Sequence, residues 1–341
     1  PMKKGVMAGA GFFARFHAEG WAQVEGARIA AIADPEVEKA RTFAREFGIA
    51  KVYGDTASML MVERPDFLDI VTGPETHRGL VELAAKQGVD VICQKPMAPE
   101  WSDCVAMVGA CEAAGRRLLI HENWRWQPWY REVRRLVEEG VLGWVFHVGF
   151  RMRTGDGRGA EPYEVQPYFR KMPRLLIYET LVHFLDTFRY LGGEVESVSC
   201  RTARVNPVIA GEDCALIELE FASGAQGLID ANRISGPKPP PVAFGELRVE
   251  GDKGMVRMTP EGRLWLTVYG EEEREHEFDR PEEGYKGDSV RAFQQHAVDC
   301  LASGAACESE GREYLKSVAA MLACYRSAES GARVRIAEVM G

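Results

Sequence analysis

Val6-Met7-Ala8-Gly9-Ala10-Gly11-Phe12-Phe13-Ala14 is the stretch whose reading decides the fold. A short apolar run ends in a glycine pair. A helical pattern follows, with Phe13, Phe16, Ala18, Trp21 and Val24 available for one broad face. The stretch fits G-x-G-x-x-G/A. Gly9 makes a tight turn, Gly11 lets a pyrophosphate approach the backbone, and the small Ala14 allows close helix packing. Exposed amides and the helix dipole then face the anion. Alone, such a glycine pair is as often a plain turn. Context decides: Asp34 closes a second strand, residues 28–33, and lies 20 positions after Ala14. An acid there grips ribose hydroxyls, caps the helix that opens at Pro35, or does both. A carboxylate repels a 2′-phosphate, and no arginine follows within six residues, so NAD is expected rather than NADP.

Outward from this stretch the βαβ rhythm continues. Strands are expected at 67–71, 89–93 and 118–120, with helices at roughly 76–87 and 101–114. That is a doubly wound parallel sheet, a Rossmann domain over residues 1–122. After His121 the rhythm changes. A helix over 128–139, a strand over 145–153 and a loop over 154–173 lead to a helix over 175–191. Several alternating strands fill 195–278, broken by Gly236-Pro237-Lys238-Pro239-Pro240-Pro241, and helices near 286–302 and 310–330 follow. Strands without intervening helices imply a mostly antiparallel sheet, so residues 123–341 read as an α+β domain.

Composition excludes several partners. The chain of 341 residues carries a net charge of −9, which argues against nucleic acid and anionic membrane. No run approaches the ~18 apolar residues of a membrane span. Lys3-Lys4 before an apolar run imitates a signal peptide, but Gly5, Gly9 and Gly11 interrupt it. The eight cysteines contain no Cys-x-x-Cys pair, which suggests reduced, buried thiols in a cytoplasmic protein and no metal site. His17, His121, His147, His276 and His296 show no ligand spacing either. Trp124, Trp126 and Trp129 read as core at a domain boundary rather than as a sugar platform.

Two features carry chemistry. Gln94-Lys95-Pro96 stands at the carboxyl end of a strand, where open α/β sheets bind ligands, and the proline fixes the turn that holds Lys95. The helix over 175–191 is apolar almost all round, hence buried, yet contains Glu179, His183 and Asp186 on or near one face. An internal structural pair explains them as well as catalysis does. If they are catalytic, Lys95 steadies a developing alkoxide, His183 takes the hydroxyl proton, and the cofactor accepts hydride.

With these residues in place, the chain resembles the glucose–fructose oxidoreductase, inositol dehydrogenase and rhizopine-catabolism family, Gfo/Idh/MocA, over nearly its whole length. The motifs are the glycine stretch, Thr72-Gly73-Pro74-Glu75-Thr76-His77, Gln94-Lys95-Pro96, Asn123-Trp124-Arg125-Trp126-Gln127-Pro128, residues 179–186, and Tyr325-Arg326-Ser327-Ala328-Glu329-Ser330-Gly331. The resemblance implies a Rossmann domain, an open-faced sheet domain, an active site between them, and a homodimer or homotetramer built through the open sheet. It implies that Gly9, Gly11, Phe12, Phe13, Asp34, Thr72, His77, Gln94, Lys95 and Gln166 serve the cofactor. The substrate set it implies is Lys95, Asn123, Tyr168, Glu179 and His183, with Lys95, His183 and Glu179 catalytic.

Two positions depart from the family pattern. Gln94 replaces the glutamate of Glu-Lys-Pro, and Glu179 replaces an aspartate four residues before His183. Phe12-Phe13, Gln94-Lys95-Pro96 and Gln166-Pro167-Tyr168 are similar to a branch acting on aldoses such as apiose. The expected activity is NAD-dependent oxidation of a sugar or polyol hydroxyl. The alternatives are an NAD-dependent glycosidase of the same fold and an NAD-binding regulator without turnover.

Overall fold

The computed structural model describes residues 2–341. The chain divides into two compact units, residues 1–126 with 281–315 and residues 127–280 with 316–341. The first unit therefore takes back a segment that the sequence boundary at 122 leaves in the second.

In the first unit β1 (Lys3–Ala8), α1 (Ala14–Trp21), β2 (Ala27–Ala33), α2 (Val37–Phe47), β3 (Lys51–Tyr53), α3 (Thr56–Glu63), β4 (Phe67–Ile70), α4 (Pro74–Lys86), β5 (Asp90–Gln94), α5 (Trp101–Ala113) and β6 (Leu118–His121) alternate. Their sheet is parallel throughout and has the order β3-β2-β1-β4-β5-β6. This is the Rossmann order, whose switch point lies between β1 and β4, where ligands bind beyond the strand ends. Strand β3 has three residues, too few to show a periodicity, and the eight residues of α3 (Thr56–Glu63) carry no clear apolar stripe.

Strands β4 and β6 are buried at every position, as parallel strands covered on both faces must be. Asp69 is thus a carboxylate inside a fully buried strand. Met7, Ile32, Phe67 and Ile92 build the core on the face of α1, where Trp21 joins them.

In the second unit come α6 (Pro128–Glu138), β7 (Val145–Arg153), a 3₁₀ turn at Pro167–Lys171, a π-helical turn at Leu176–Leu181, and α7 (Val182–Gly192). Strands β8 (Val195–Ala203), β9 (Cys214–Phe221), β10 (Gln226–Asn232), β11 (Gly245–Gly251), β12 (Gly254–Met258), β13 (Leu264–Val268) and β14 (Arg274–His276) follow. Helices α8 (Ser289–Ser303) and α9 (Gly311–Ser330), strand β15 (Val334–Arg335) and α10 (Ile336–Met340) end the chain. Phe293, Ala297 and Val298 of α8 join the core of the first unit, which is why 281–315 belongs there. The second sheet runs β14-β13-β12-β11-β7-β10-β9-β8-β15, antiparallel except for the β7–β10 pair. Its strands alternate buried and open positions, as a sheet covered on one face requires. The helix expected over 175–191 is present, and its first part, Leu176–Leu181, is π-helical before it runs into α7.

Candidate active site

The glycine turn owes its shape to the backbone at Gly9. That residue has φ +100°, and a Cβ there would lie 2.5 Å from the Val71 carbonyl oxygen, so only glycine fits. Gly11 differs: a Cβ there would meet nothing within 4 Å. Packing does not demand glycine at 11, and the open space beside it is the cradle that an approaching pyrophosphate needs. Phe13, at the N-cap of α1, supplies no side-chain cap, so the first amides of the helix remain suited to an anion. These features fit a dinucleotide. Phe12 is exposed, while Phe13 packs edge-on against His17 and Tyr285.

Asp34 divides its carboxylate between two backbone amides. Oδ2 accepts from Ala10 N at 2.9 Å and Oδ1 from Glu36 N at 2.9 Å. It braces the glycine turn and the approach to α2 together. Each oxygen has a second lone pair, so a ribose hydroxyl can still be accepted.

Thr72 follows β4, and its hydroxyl lies 2.6 Å from that of Thr76. His77 has no exposed surface. Its Nδ1 lies 3.0 Å from the Met97 carbonyl and its Nε2 3.1 Å from the Thr72 carbonyl. Burial lowers its pKa, outweighing these carbonyls, so the ring acts as a brace beneath Thr72.

Gln94 is the last residue of β5, and Lys95 follows with a cis bond to Pro96. The Lys95 amide donates to Gln94 Oε1 at 2.7 Å, and Gln94 Nε2 lies 2.9 Å from His17 Nε2. Asn123 is buried and donates to Ser289 Oγ at 2.8 Å, which places it inside the unit. Trp124 and Trp129 are buried as well.

The second unit gathers its own residues. Glu179 lies in the π-helical turn, a form that recurs at functional sites, and His183 begins α7 almost wholly buried. Glu179 Oε2 accepts from Thr180 Oγ1 at 2.7 Å. Arg233 Nη2 donates to the same hydroxyl at 2.6 Å and stands 3.8 Å from Glu179 Oε2. The other arm of Arg233 pairs with Asp156, and its guanidinium lies over the Tyr163 and Phe169 rings, 5.4 Å from each centroid. Gln166 donates to the Tyr168 hydroxyl at 2.7 Å. The Tyr168 hydroxyl is pushed up to about 12, first by burial and then by the Glu179 carboxylate. Gln166 and Tyr168 thus form a hydrogen-bonded pair. Asp186 turns to α9, where Ser317 donates to it at 2.8 Å.

Several functional candidates were missed. Asp156 sits in loop-like sequence and Arg233 directly after the alternating strand β10, neither with a signal of its own. His17 shows no ligand spacing, and Asp69 is one letter of an otherwise apolar strand. A visible signal existed for Asp69, since a charge inside a buried parallel strand needs partners. Spacing also missed a cluster of His296, Cys300 and Cys307, whose ligand atoms lie within 4.8 Å of one another. The protein closes it itself: Glu308 N donates to His296 Nε2 at 3.0 Å, and Cys300 donates to the Ala306 carbonyl at 3.3 Å.

Comparison with known proteins agrees with this fold. Residues 3–122 match the model of an oxidoreductase family with an NAD-binding Rossmann fold, and residues 130–257 match the GFO/IDH/MocA C-terminal domain. The chain is 36% identical to D-apiose dehydrogenase of Paraburkholderia graminis, over 98% of this chain and 89% of that one. It is also 36% identical to D-apiose dehydrogenase of Rhizobium rhizogenes, over 99% of this chain and 98% of the relative. A solved oxidoreductase from Agrobacterium radiobacter, in complex with NAD+, L-tartaric acid and magnesium, superposes with a TM-score of 0.92 at 35% identity, covering 99% of both chains.

Proposed function

The chain belongs to the Gfo/Idh/MocA oxidoreductase family, with an NAD-binding Rossmann domain, and from that premise we propose that it oxidises a hydroxyl of a small aldose such as D-apiose. The observation that carries this reading is the match to two D-apiose dehydrogenases over almost the whole chain, with Lys95 and His183 both present. The L-tartaric acid in the Agrobacterium complex is a dihydroxy dicarboxylic acid, and its size and vicinal hydroxyls are compatible with a site for a small hydroxylated substrate.

NAD, when bound, accepts the hydride. The glycine turn and the amides of α1 hold its pyrophosphate, Asp34 its ribose, and Thr72 lines its path. Lys95 donates a hydrogen bond to the reacting hydroxyl and stabilises negative charge as the proton leaves. His183 accepts that proton. Glu179, held by Thr180 and the Arg233 guanidinium, hydrogen-bonds a second sugar hydroxyl, and Tyr168 does the same from the loop. The longer glutamate side chain serves where the family carries aspartate because Arg233 and Thr180 fix its head.

The open face of the second sheet carries Leu216 and Leu228 among Arg151, Arg248, Glu218 and Glu246. We assign it to self-association in a dimer or tetramer, with light scattering as the check. The cytoplasm is the proposed compartment, supported by eight free cysteines of which seven are buried.

The test is NAD reduction with D-apiose, other aldoses and inositols. Accumulating NADH with apiose and little with inositols is expected. Release of an aglycone from glycosides without net NADH would replace the dehydrogenase with a glycosidase. NAD binding without turnover on any of these substrates would favour a regulator.

A further inference from the structure

Asp69 sits inside β4 with no exposed surface. Its Oδ2 accepts from Trp21 Nε1 at 2.6 Å and lies 2.8 Å from His17 Nδ1. His17 is equally buried, and its Nε2 faces Gln94 Nε2 at 2.9 Å. Gln94 Oε1 takes the Lys95 amide at 2.7 Å. The chain of bonds runs from the backbone of Lys95 to a carboxylate in the heart of the sheet.

The ends of that chain fix every direction in it. A backbone amide only donates, so Gln94 must present its oxygen to Lys95 and its NH₂ to His17. An NH₂ group only donates, so His17 Nε2 carries a lone pair. The ring proton is then on Nδ1, facing a carboxylate that only accepts. All the donors point toward Asp69, an arrangement in which successive bonds reinforce one another. His121, paired in register with Gln94, stacks on the His17 ring at 4.0 Å and holds it flat.

We propose that His17 is a positioning residue: with Asp69 it selects glutamine at position 94 and so sets the backbone from which Lys95 projects. The proposal rests on the reading of Lys95 as catalytic. Gln94, the departure from the family's Glu-Lys-Pro, and His17 are on this account one feature. A glutamate at position 94 would turn a carboxylate toward the Nε2 lone pair. That contact is repulsive unless the ring takes a second proton, which would then lie between two carboxylates.

The titratable neighbours of the ring support a response confined to this contact. Asp69 faces it from β4 and His121 from β6. Cys93 of β5 stands near Asp69, its thiol pushed well up by burial and then by that carboxylate. Helix α8 contributes the neutral Gln294, which donates to the His17 carbonyl at 3.1 Å. Phe13 and Trp21 complete the contacts from α1 and its cap.

The experiment compares the whole protein with Gln94→Glu, His17→Gln and the double variant. Two readouts are the pH profile of NAD reduction with D-apiose and nitrogen-15 NMR of the His17 ring. In the parent the ring should stay in the Nδ1–H form. In Gln94→Glu it should take up a second proton, and kcat/KM relative to the parent should fall at least about tenfold as pH rises from about 6 to about 9. His17→Gln in the Gln94→Glu background should remove that pH dependence, because an amide can donate to the introduced carboxylate at any pH. An unchanged tautomer and a parallel profile in Gln94→Glu would overturn the proposal. The ring spectrum decides even where a variant is inactive. Full turnover in Lys95→Ala would instead remove the catalytic reading and leave the His17–Gln94 coupling to stand on NMR.

Discussion

The two units each bury a polar network, and the networks work differently. In the first, Asp69, His17 and Gln94 form a directional line of bonds in which the proton positions are set by what each end can donate. In the second, the Arg233 guanidinium is held as a full charge, forked between Asp156 and the Thr180–Glu179 pair and backed by the Tyr163 and Phe169 rings. The first kind of network transmits orientation and is sensitive to one misplaced proton. The second fixes a carboxylate through charge and tolerates changes of protonation nearby, but not loss of the fork.

Replacement of the two residues proposed to handle the proton gives the largest expected effect. Lys95→Ala and His183→Ala should each lower kcat by roughly 10²–10⁴-fold while calorimetry shows NAD affinity within a few-fold of the parent. Turnover near the parent level in either would remove that residue from the mechanism.

Arg233→Met comes next. It leaves Asp156 and Glu179 without their buried cation and should lower stability by about 3–5 kcal/mol, read as a drop in urea midpoint. Arg233→Lys should recover part of the stability but less of the turnover, because an ammonium lacks the planar fork. Equal recovery of both would make the guanidinium geometry irrelevant.

A smaller change is expected from Asp34→Ala. Two backbone amides lose their acceptor, for about 1–3 kcal/mol, and discrimination against NADP should weaken. Unchanged NAD:NADP preference would leave Asp34 as a brace of the glycine turn and no more.

Glu63 supplies the smallest effect and a control outside both networks. Lys51 foremost, then Tyr53 and Lys4, hold its carboxyl at about 2, below the ordinary 4.5. A depressed carboxyl stabilises the fold above the ordinary value, and that contribution fades as pH falls toward about 2. Glu63→Gln should therefore lower the melting temperature at neutral pH, with the difference from the parent shrinking in acid. A difference independent of pH would show that charge at Glu63 is not the cause.

Much of the fold was legible from local signals. Glycine spacing, the strand–helix rhythm and the later alternation of apolar residues each act over a few residues, and they specified the Rossmann sheet and the mostly antiparallel sheet. The glycine stretch, Asp34 and the strand-end position of Lys95 were legible for the same reason. Short pieces were not: β3 has three residues, and the π-helical turn at Leu176–Leu181 has the apolar content of any buried helix. The return of α8 to the first unit was hidden because an amphipathic helix does not name its partner.

Sequence alone thus established the fold class, the dinucleotide turn and the lysine at the strand end, since φ preferences and periodicity are properties of neighbouring residues. The links from residue 17 to 69 and from 17 to 94 depend on strand order and parallel register, which bring β4, β5 and β6 side by side beneath α1. Only in that arrangement does the Gln94 amide have a ring lone pair to meet.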